Sequence, residues 1–527
     1  MTKKWLDTRR SYLEKLKSQV VLITGGDSRI MSKYASSNLS LYKEVWSKDS
    51  ETAFVNKAVA HKVVLCGDFH SSPSVKRFYI KLLDQIGKKA KKKVTVALEC
   101  FDSSVDPLFQ KWLAGEVGDE ELLEVGGWDQ NWGFDWNSYR KFIIHLHGNG
   151  FAFKCINSLE TDFVKRDFKL AQNIKEVCSQ TDGLVIFLVG QLHLGPDHLP
   201  KNLSKLSKEL LPLCLHLDPE EIYFELEEYN LLQEVQVLSY QNHFCFLSTP
   251  PWVHWQNHLL HLEGLYSDDF DDDDEDEDFD ELRGEDFNAV VADYVELLKK
   301  DLGITLFIKP IDVDFIDEYV IQGGTDPKVL EFMQPMLDSE TSFYWPEQSE
   351  GIMIMGSLNQ AASVAGKYLH AVLRNESELP WGDVKAINAW CWLEAVGYLM
   401  SKLINPKRAV SSTAIMSAFL RARLGTEASK NLMQTLVKGR VLELDQSLKL
   451  GHSKSLSWSE VVYAARLKGA LVGESLFDLY SAGGLTAETV QTYMSVPVMD
   501  KERFEPFYRL VLGRLGLETE EGNEGID

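Results

Sequence analysis

The sequence predicts an α/β domain followed by a mostly α-helical C-terminal domain. Four short apolar runs alternate with helical patterns in the N-terminal half, and each run ends in polar residues. Continuous apolar strands of this kind are typical of a mainly parallel sheet with flanking helices. An acidic stretch follows, and the pattern beyond it is mostly helical. With 527 residues, the chain is long enough for two or three domains.

The elements of the N-terminal half follow from the spacing of apolar residues. Residues 1–60 are predicted as a helical segment, because apolar residues recur there at three- and four-residue spacings. The four predicted strands are Lys62–Cys66, Val94–Leu98, Phe151–Ile156 and Gly183–Val189. The helices between them are predicted at Ser74–Ile86, Val105–Ala114, Trp136–Leu146 and Asp162–Gln180. Strand-like segments at Ile222–Leu226, Glu234–Leu238 and His243–Leu247 are candidates to extend the sheet, so the α/β domain is predicted to span residues 61–265.

The negative charge of the chain is concentrated in one segment. The formal net charge is -24, and the stretch from Asp268 to Asp286, with fourteen acidic residues and Arg283, contributes -13 of it. Such a run cannot bury enough apolar surface to fold alone, so residues 266–286 are predicted to be an acidic linker or disordered insertion. Residues 287–518 are predicted to form the mostly helical domain, and 519–527 a disordered acidic tail. The overall acidity argues against a nucleic-acid partner or an anionic membrane surface.

The cysteines and the apolar stretches indicate a cytoplasmic location. The seven cysteines are odd in number, far apart and without a Cys-x-x-Cys pair, which suits a reducing compartment. The N-terminus lacks the continuous apolar core of an export signal. The most apolar stretch, 389–404, is interrupted by Glu394 and Lys402 and is too short for a membrane span.

Polar side chains follow all four predicted strands. Asp68 and His70 come after the first strand, Glu99 after the second, Asn157 after the third and His193 after the fourth. In parallel sheets, ligands bind beyond the carboxyl ends of the strands. Both histidines stand in a Gly-x-x-His arrangement, and two such strand ends are more informative than one. The sequence therefore predicts a polar site where these segments converge.

The residue types leave the chemistry of this site open. Two imidazoles and two carboxylates are able to hold a divalent metal, to line a haem face or to perform acid–base catalysis on a water molecule. A structural salt bridge of Glu99 is the alternative, because an unpaired carboxylate at the end of an apolar strand is costly to bury. Arg166, beside Asp167 at the start of a helix, is either an anion contact, suited to a carboxylate such as a haem propionate, or part of a surface ion pair.

Two further groups of residues have a structural and a functional interpretation. The aromatic residues Trp128, Trp132, Trp136 and Tyr139 are expected to pack in the core or to form a lid, although a flat aromatic wall also suits a porphyrin. His254, His258 and His261 share one helical face and are interpreted as amphipathic surface histidines rather than as a metal site. No P-loop, Gly-x-Gly-x-x-Gly, Gly-x-Ser-x-Gly or His-Glu-x-x-His motif occurs.

The order of the motifs resembles the ChaN-like haem-binding domain of the Tiki/TraB/erythromycin-esterase superfamily. The resemblance extends from about Lys62 to Leu199. One departure is Asp68, where the family motif Gly-Glu-x-His has a glutamate with a longer reach. The residues that carry the resemblance are Gly67-Asp68-Phe69-His70, Glu99-Cys100-Phe101, Trp136-Asn137-Ser138-Tyr139, Asn157, Arg166-Asp167 with Leu170-Ala171, and Gly190-Gln191-Leu192-His193.

The resemblance implies a bacterial protein that binds haem or iron, with haem or a divalent metal as cofactor. The alternative that it implies is a metal-dependent hydrolase of ester or peptide bonds, with His70, Glu99 and His193 as catalytic residues. A third possibility is a non-catalytic interaction protein that binds a protein partner through the helical half. The implied ligand-binding residues are Asp68, His70, Glu99, Asn157, Arg166 and His193, of which Asp68, His70, Glu99 and His193 are the implied metal ligands.

Overall fold

The structure is a computed structural model, and it describes residues 3–25, 29–232, 234–267, 281–315, 327–339, 341–354, 356–408, 457–515 and 517. The chain divides into two compact units, residues 9–265 and residues 1–8 with 266–527. Most of the predicted acidic linker (268–280), residues 409–456 of the predicted helical domain and the predicted tail (519–527) lie outside the described residues. The predicted domain boundaries therefore stay predictions.

The unit of residues 9–265 contains an eight-stranded, mostly parallel sheet, which confirms the predicted fold class. In space the strands follow the order β1-β7-β8-β6-β2-β5-β3-β4. Strand β7 is antiparallel to both of its neighbours, and every other pairing is parallel. The strands β1 to β8 are Ser47–Lys48, Val63–Asp68, Val94–Asp102, Ala152–Asn157, Leu184–Gly190, Leu213–Leu217, Val237–Tyr240 and His243–Phe246.

Twelve helices accompany the described part of this sheet, and the first and the last of them include residues of the other unit. They are numbered α1 to α12 and comprise Lys3–Thr24, Arg29–Tyr42, Glu51–Ala58, Pro73–Lys89, Asp106–Leu113, Asp119–Gly126, Trp128–Asn131, Trp136–Gly148, Phe163–Gln180, Leu199–Leu206, Glu220–Glu228 and Pro251–Ser267.

Strand β2 shows why the sheet is buried on both faces. Successive side chains of a strand point to opposite faces. Val64 and Cys66 belong to one hydrophobic core, with the apolar stripe of α4, whereas Val63 and Leu65 belong to a second core, with that of α9. A continuous apolar run is therefore the pattern that this central strand requires.

One predicted strand is wrong. Residues 222–226 lie in helix α11, Glu220–Glu228, which begins with two acidic residues and buries Ile222, Tyr223 and Phe224. Acidic residues in the first turn favour a helix through its dipole, and this outweighs the β propensity of the short aromatic run. The sheet instead receives Leu213–Leu217, which pairs in parallel with β2 and was not predicted.

The unit of residues 1–8 and 266–527 is mostly helical in its described part, as predicted. Its helices α13 to α19 are Glu281–Leu302, Pro327–Ser339, Leu358–Arg374, Ile387–Ile404, Trp458–Ser481, Ala487–Met494 and Lys501–Arg514. A small sheet joins β9 (Asp312–Phe315), β10 (Phe343–Trp345) and β11 (Glu350–Met353), in the order β10-β11-β9. Helices α16 and α17 pack closely at Gly473, where a Cβ atom would lie only 2.4 Å from the carbonyl oxygen of Ala395.

Two further findings concern the helices and the cysteines. Among the described residues, no helix is long and apolar enough to cross a lipid bilayer. All seven cysteines are buried and none forms a disulfide.

Candidate functional site

Five of the six predicted site residues lie at or just after the carboxyl ends of β2, β3, β4 and β5, which are neighbours in the sheet, and Arg166 lies on α9. Asp68 ends β2 in register with Gly190 at the end of β5. Glycine is required before Asp68, because a Cβ atom on Gly67 would lie 2.8 Å from Oε1 of Gln191 and 3.2 Å from the carbonyl oxygen of Leu215. The close approach of backbone and side chains at this strand end explains the glycine of the first Gly-x-x-His motif.

Asp68 is bound by a buried lysine. Nζ of Lys76, on α4, lies 2.7 Å and 2.8 Å from the two carboxylate oxygens of Asp68. His70 Nδ1 lies 3.0 Å from Oδ2 of the same carboxylate, and the Tyr139 hydroxyl donates to Oδ2 at 3.2 Å. Both oxygens of Asp68 are thus engaged, and its role is to orient His70.

Glu99 lies between the two histidines. Its Oε1 accepts a hydrogen bond from Arg166 Nη2 at 3.0 Å, and its Oε2 accepts one from the Gly190 backbone N–H at 2.8 Å. His193 Nε2 is 3.7 Å from Oε1, and His70 Nε2 is 3.8 Å from Oε2. The buried carboxylate of Glu99 is therefore paired with Arg166, as a buried charge requires, and both histidines lie close to it.

His193 is oriented by an acid from helix α9. Its Nδ1 lies 2.5 Å from Oδ1 of Asp167, whose Oδ2 accepts a hydrogen bond from the Tyr34 hydroxyl at 2.7 Å. Phe163 stacks on the imidazole of His193, with 5.7 Å between ring centroids. These contacts fix the ring, so that Nε2 faces Glu99.

Asn157 binds the guanidinium that also pairs with Glu99. Its Oδ1 accepts hydrogen bonds from Arg166 Nε at 3.3 Å and Nη2 at 3.0 Å. The ends of β3 and β4 thereby hold Arg166 in one orientation. The structure thus brings together all six residues predicted for ligand binding.

The charges of the site stabilise one another against the cost of burial. Burial alone would raise the pKa of Glu99, but His193, His70 and Arg166 outweigh it and hold that pKa below its usual value. Burial is likewise outweighed at Asp68, where Lys76 and His70 keep the carboxyl pKa well below normal. The pKa of His193 is raised, because Asp167 and Glu99 overcome the effect of burial. The surroundings therefore favour the ionised carboxylates of Asp68 and Glu99 and the protonated form of His193.

Only two of the six residues are open to solvent to any extent. The side chains of His70 and Arg166 are 21% and 22% exposed. The other four residues, Asp68, Glu99, Asn157 and His193, are at most 5% exposed. The six residues thus form two layers, in which the buried four position the accessible imidazole and guanidinium.

An aromatic wall borders His70 on the outside. The His70 ring lies 4.4 Å from the ring of Trp132 and 5.3 Å from that of Phe134, centroid to centroid. Phe134 in turn lies 4.3 Å from His261, on α12. Trp132, Phe134 and Trp136 are partly buried against the core, whereas Trp128 and Tyr139 are fully buried in it. The aromatic cluster therefore serves partly as core and partly as the wall of the site.

The interpretation of three surface histidines on α12 is wrong for His254. That residue is 2% exposed, its Nε2 lies 2.9 Å from Oδ2 of Asp218, and its Nδ1 lies 3.0 Å from Oγ of Ser72. Its ring also stacks on Phe69. The partner acid, which the helical periodicity could not reveal, comes from the end of β6 and makes burial possible.

His258 and His261 differ from His254 in being partly exposed. Burial and the nearby His70 lower the pKa of both, that of His261 to about 4, with His258 adding to the effect at His261. Both rings are therefore neutral at physiological pH. Phe134 contacts the rings of both His261 and His70, so His261 lies beside the candidate site.

Two contributors were missed by sequence reasoning. Lys76 had a signal, since it stands on the buried stripe of α4 with Tyr79, Leu83 and Ile86, where a lysine needs an acidic partner. No sequence pattern indicated Tyr34, because it lies 133 positions from its partner Asp167 in the chain. Long-range contacts of this kind follow only from the fold.

The donor set does not fit a divalent metal ion. No group of three or more His, Cys, Asp or Glu side chains is arranged to hold a metal within the part of the chain that the structure describes. The oxygens of Asp68 and Glu99 are already occupied by Lys76, Arg166 and a backbone N–H. The residues predicted as metal ligands therefore neutralise one another instead.

A cavity of about 640 Å³ lies against α9 and the loop that precedes it. Val164 and Phe168 contribute its apolar part, and both are about half exposed or more. None of the six predicted site residues lines it. Its lining residues are Ser158, Glu160, Val164, Lys165, Phe168, Lys169, Gln172 and Asn202.

Comparison with known proteins supports the resemblance inferred from the motifs. Residues 54–161 match the family model described as haem-binding uptake, Tiki superfamily, ChaN. The predicted resemblance is thus confirmed for a segment that contains His70, Glu99 and Asn157, while Arg166 and His193 lie beyond it. A solved structure described as cofacial haem binding to ChaN of Campylobacter jejuni is 16% identical, with 34% of this chain and 90% of that chain covered and a TM-score of 0.28. A search of curated proteins found no match.

Proposed function

We propose that the α/β unit binds haem at the strand-end site, through the exposed layer formed by His70 and Arg166. The observation that carries the proposal is the combination of an accessible guanidinium, an accessible imidazole and an aromatic wall at one edge of the sheet. The match of residues 54–161 to a haem-binding family supports it. The electronic chemistry of the iron would belong to the haem itself, and the protein would supply binding and orientation.

Arg166 is suited to contact a haem propionate. Its side chain is 22% exposed, and its remaining N–H groups are able to donate to a carboxylate. Glu99 and Asn157 hold the guanidinium in place, so little side-chain entropy is lost when a ligand binds. The same contacts partly neutralise its charge, which favours a partly buried position.

The wall of Trp132, Phe134 and His70 is suited to the flat face of a porphyrin. Planar aromatic groups bury a large apolar area when they stack in an offset arrangement. The three rings are partly exposed. A polar contact at Arg166 and an apolar wall together match a ligand with one charged edge and a flat apolar body.

Equilibrium titration with haem tests this proposal. The wild-type chain is expected to give a saturable change in Soret absorbance at one haem per chain. We expect Arg166→Ala and His70→Ala to weaken binding by about tenfold, the effect of losing one charged or stacking contact. His193→Ala is expected to weaken it less, since His193 is buried. Lys175→Ala, an exposed change on α9 away from the site, is the control. A wild-type chain without saturable binding would disprove the proposal.

The Asp167–His193–Glu99 arrangement favours a hydrolase as a second candidate. Asp167 orients His193, and the raised pKa of His193 favours its protonated form, which would donate a proton to a leaving group. Glu99, whose pKa is lowered, is a carboxylate that would accept a proton from water. In this proposal His70 would position the substrate.

Assays of ester and peptide libraries test the second candidate. Hydrolysis by the wild-type chain should fall by at least about a hundredfold in Glu99→Gln, which keeps the shape but removes the base. Asp167→Asn should lower the rate with a shift in its pH profile, because His193 loses its orienting charge. Activity that survives both substitutions would exclude this site as its source.

A further inference from the structure

We propose that the cavity against α9 binds a phosphorylated compound with a flat aromatic body, which is the chemistry of a nucleotide. Its volume of about 640 Å³ lies within the range of about 300–1,000 Å³ that is typical of small-molecule sites. None of the six residues of the strand-end site lines this cavity. It is therefore a second site, and the proposal does not depend on haem binding.

The face of α9 that lines the cavity has an apolar row beside a basic row. Residues four positions apart lie one above the other on a helix, so Val164 and Phe168 form the apolar row. Lys165 and Lys169 form the basic row by the same rule. Because a helix has about 3.6 residues per turn, the two rows lie on one side of α9, with Gln172 between them. A ligand lying across this face would meet apolar groups on one side and ammonium groups on the other.

The two lysines of the cavity lack an acidic partner. Lys165 and Lys169 are exposed, and neither forms an ion pair with a described residue. Lys201 on the neighbouring helix α10 differs, since its Nζ lies 2.9 Å from Oδ1 of Asp197. Two like charges four positions apart repel each other and slightly destabilise a helix. An anion bound by both ammonium groups would remove this repulsion, and lysine is a common ligand of phosphate.

The apolar row presents an exposed aromatic ring. Phe168 is 48% exposed and Val164 is 61% exposed, which is unusual for large apolar side chains on one helical face. No described aromatic ring contacts the ring of Phe168. Flat aromatic bases stack on side chains of this kind, next to basic groups that bind the phosphate. The exposed ring beside two lysines therefore favours a ligand with a planar body and a phosphorylated end.

The polar lining of the cavity matches the remaining parts of a nucleotide. The side-chain amides of Gln172 and Asn202 form no hydrogen bond with a described residue, and each is able both to donate and to accept. The edge of a base offers both kinds of group. Glu160, the one acid of the lining, accepts a hydrogen bond from the Asp162 backbone N–H through Oε1 at 3.2 Å. Its other oxygen is able to accept from a sugar hydroxyl, whereas an aliphatic acid would use neither the amides nor Glu160.

Isothermal titration calorimetry of the full-length chain with ATP, without added metal ions, tests this proposal. The wild type is expected to bind one ATP per chain. The double variant Lys165→Gln/Lys169→Gln should bind about tenfold more weakly, because both phosphate contacts are lost. Phe168→Ser should bind about fivefold more weakly, because the stacking surface is lost. Lys175→Gln, an exposed change on α9 outside the cavity, is the matched control and should bind like the wild type. Thermal unfolding verifies that all variants fold.

Titrations with adenosine and with inorganic phosphate separate the two parts of the ligand. Each should bind at least about tenfold more weakly than ATP, because each meets only one row of the cavity. Either compound binding as tightly as ATP would contradict the proposal, as would a wild type without saturable binding up to about 10 mM ATP. If Arg166→Ala abolishes ATP binding and the lysine variant does not, ATP occupies the strand-end site and the proposal is wrong. Each of these failures leaves the proposed haem site in place, since haem binding is measured separately.

Discussion

Nζ of Lys76 lies 2.7 Å and 2.8 Å from the two carboxylate oxygens of Asp68, and both side chains are at most 4% exposed. Lys76 further donates to the backbone carbonyl of His70 at 3.1 Å and lies over the ring of Tyr139. A buried pair of this kind contributes little net stability, but losing one partner leaves an uncompensated charge. It ties the end of β2 to α4 and so fixes the loop that carries His70.

Asp68→Asn should therefore destabilise the α/β unit by about 3–5 kcal/mol, because the ammonium of Lys76 stays buried without its counter-charge. Urea denaturation of the full chain measures the free energy of unfolding. Asp84→Asn is the control, since its pair with His145 is partly exposed and should contribute less than about 1 kcal/mol. Equal losses for the two variants would contradict the role assigned to the Lys76–Asp68 pair.

The raised pKa of His193 predicts a loss of stability at alkaline pH. The pKa of His193 is higher in the folded chain than in the unfolded chain, where it is about 6.5. The protonated ring therefore contributes its full stabilisation below about pH 6.5, and this contribution disappears as the pH rises through the folded pKa. Asp167→Asn should reduce this contribution. The difference in unfolding free energy between wild type and variant should be largest near pH 6 and shrink toward pH 9. A difference that stays constant over this range would show that the pair does not titrate as described.

The imidazoles of His216 and His243 predict the opposite dependence. His216 Nε2 contacts His243 Nδ1 at 3.0 Å, and burial lowers the pKa of both, that of His243 to about 4. Folded rings stay neutral while unfolded ones bind protons below about pH 6.5, so stability is lost as the pH falls from there toward 4. His243→Asn should reduce the slope of unfolding free energy against pH between 6.5 and 4.5. An unchanged slope would contradict this assignment.

Gly190→Ala should disturb the site directly. The added Cβ atom would lie 3.1 Å from Nε2 of His70, whose ring is held on its other side by Asp68. We expect a loss of about 1–3 kcal/mol in unfolding free energy and weaker haem binding. Gly148→Ala is the control, because its Cβ atom would meet nothing within 4 Å. If Gly190→Ala leaves haem affinity unchanged, as the control does, His70 does not belong to the binding surface.

The parts of the fold that were predictable from the sequence are those set by local pattern. Strands β2 to β5 are mostly apolar runs, and their order along the chain places four polar ends at one edge of the sheet. The strand Leu213–Leu217 was missed, although it is apolar except for His216, and the nearby Ile222–Leu226 was wrongly predicted as a strand. Short apolar runs do not distinguish strand from helix by periodicity, so neighbouring turns and caps decide.

The residues of the site were predictable from the sequence, but which of them are buried and which are accessible was not. Glycine spacing and strand ends identified His70, Glu99 and His193, whereas burial depends on the helices that cover the edge. Lys76 on α4 turns Asp68 from an expected ligand into an internal partner, and Arg166 does the same for Glu99. Which polar atoms remain free is a property of the packed structure, because each hydrogen bond is formed between segments distant in the chain.

The most direct test of the central claim is haem retention. The full-length chain is mixed with excess haem, passed through gel filtration and analysed for haem and protein. The account predicts about one haem per chain for the wild type and for Lys175→Ala, and much less for the double variant Arg166→Ala/His70→Ala, with thermal unfolding verifying that the variant is folded at the temperature of the assay. Haem that elutes entirely apart from the wild-type protein, or that the double variant retains in full, would contradict a haem site at the strand ends.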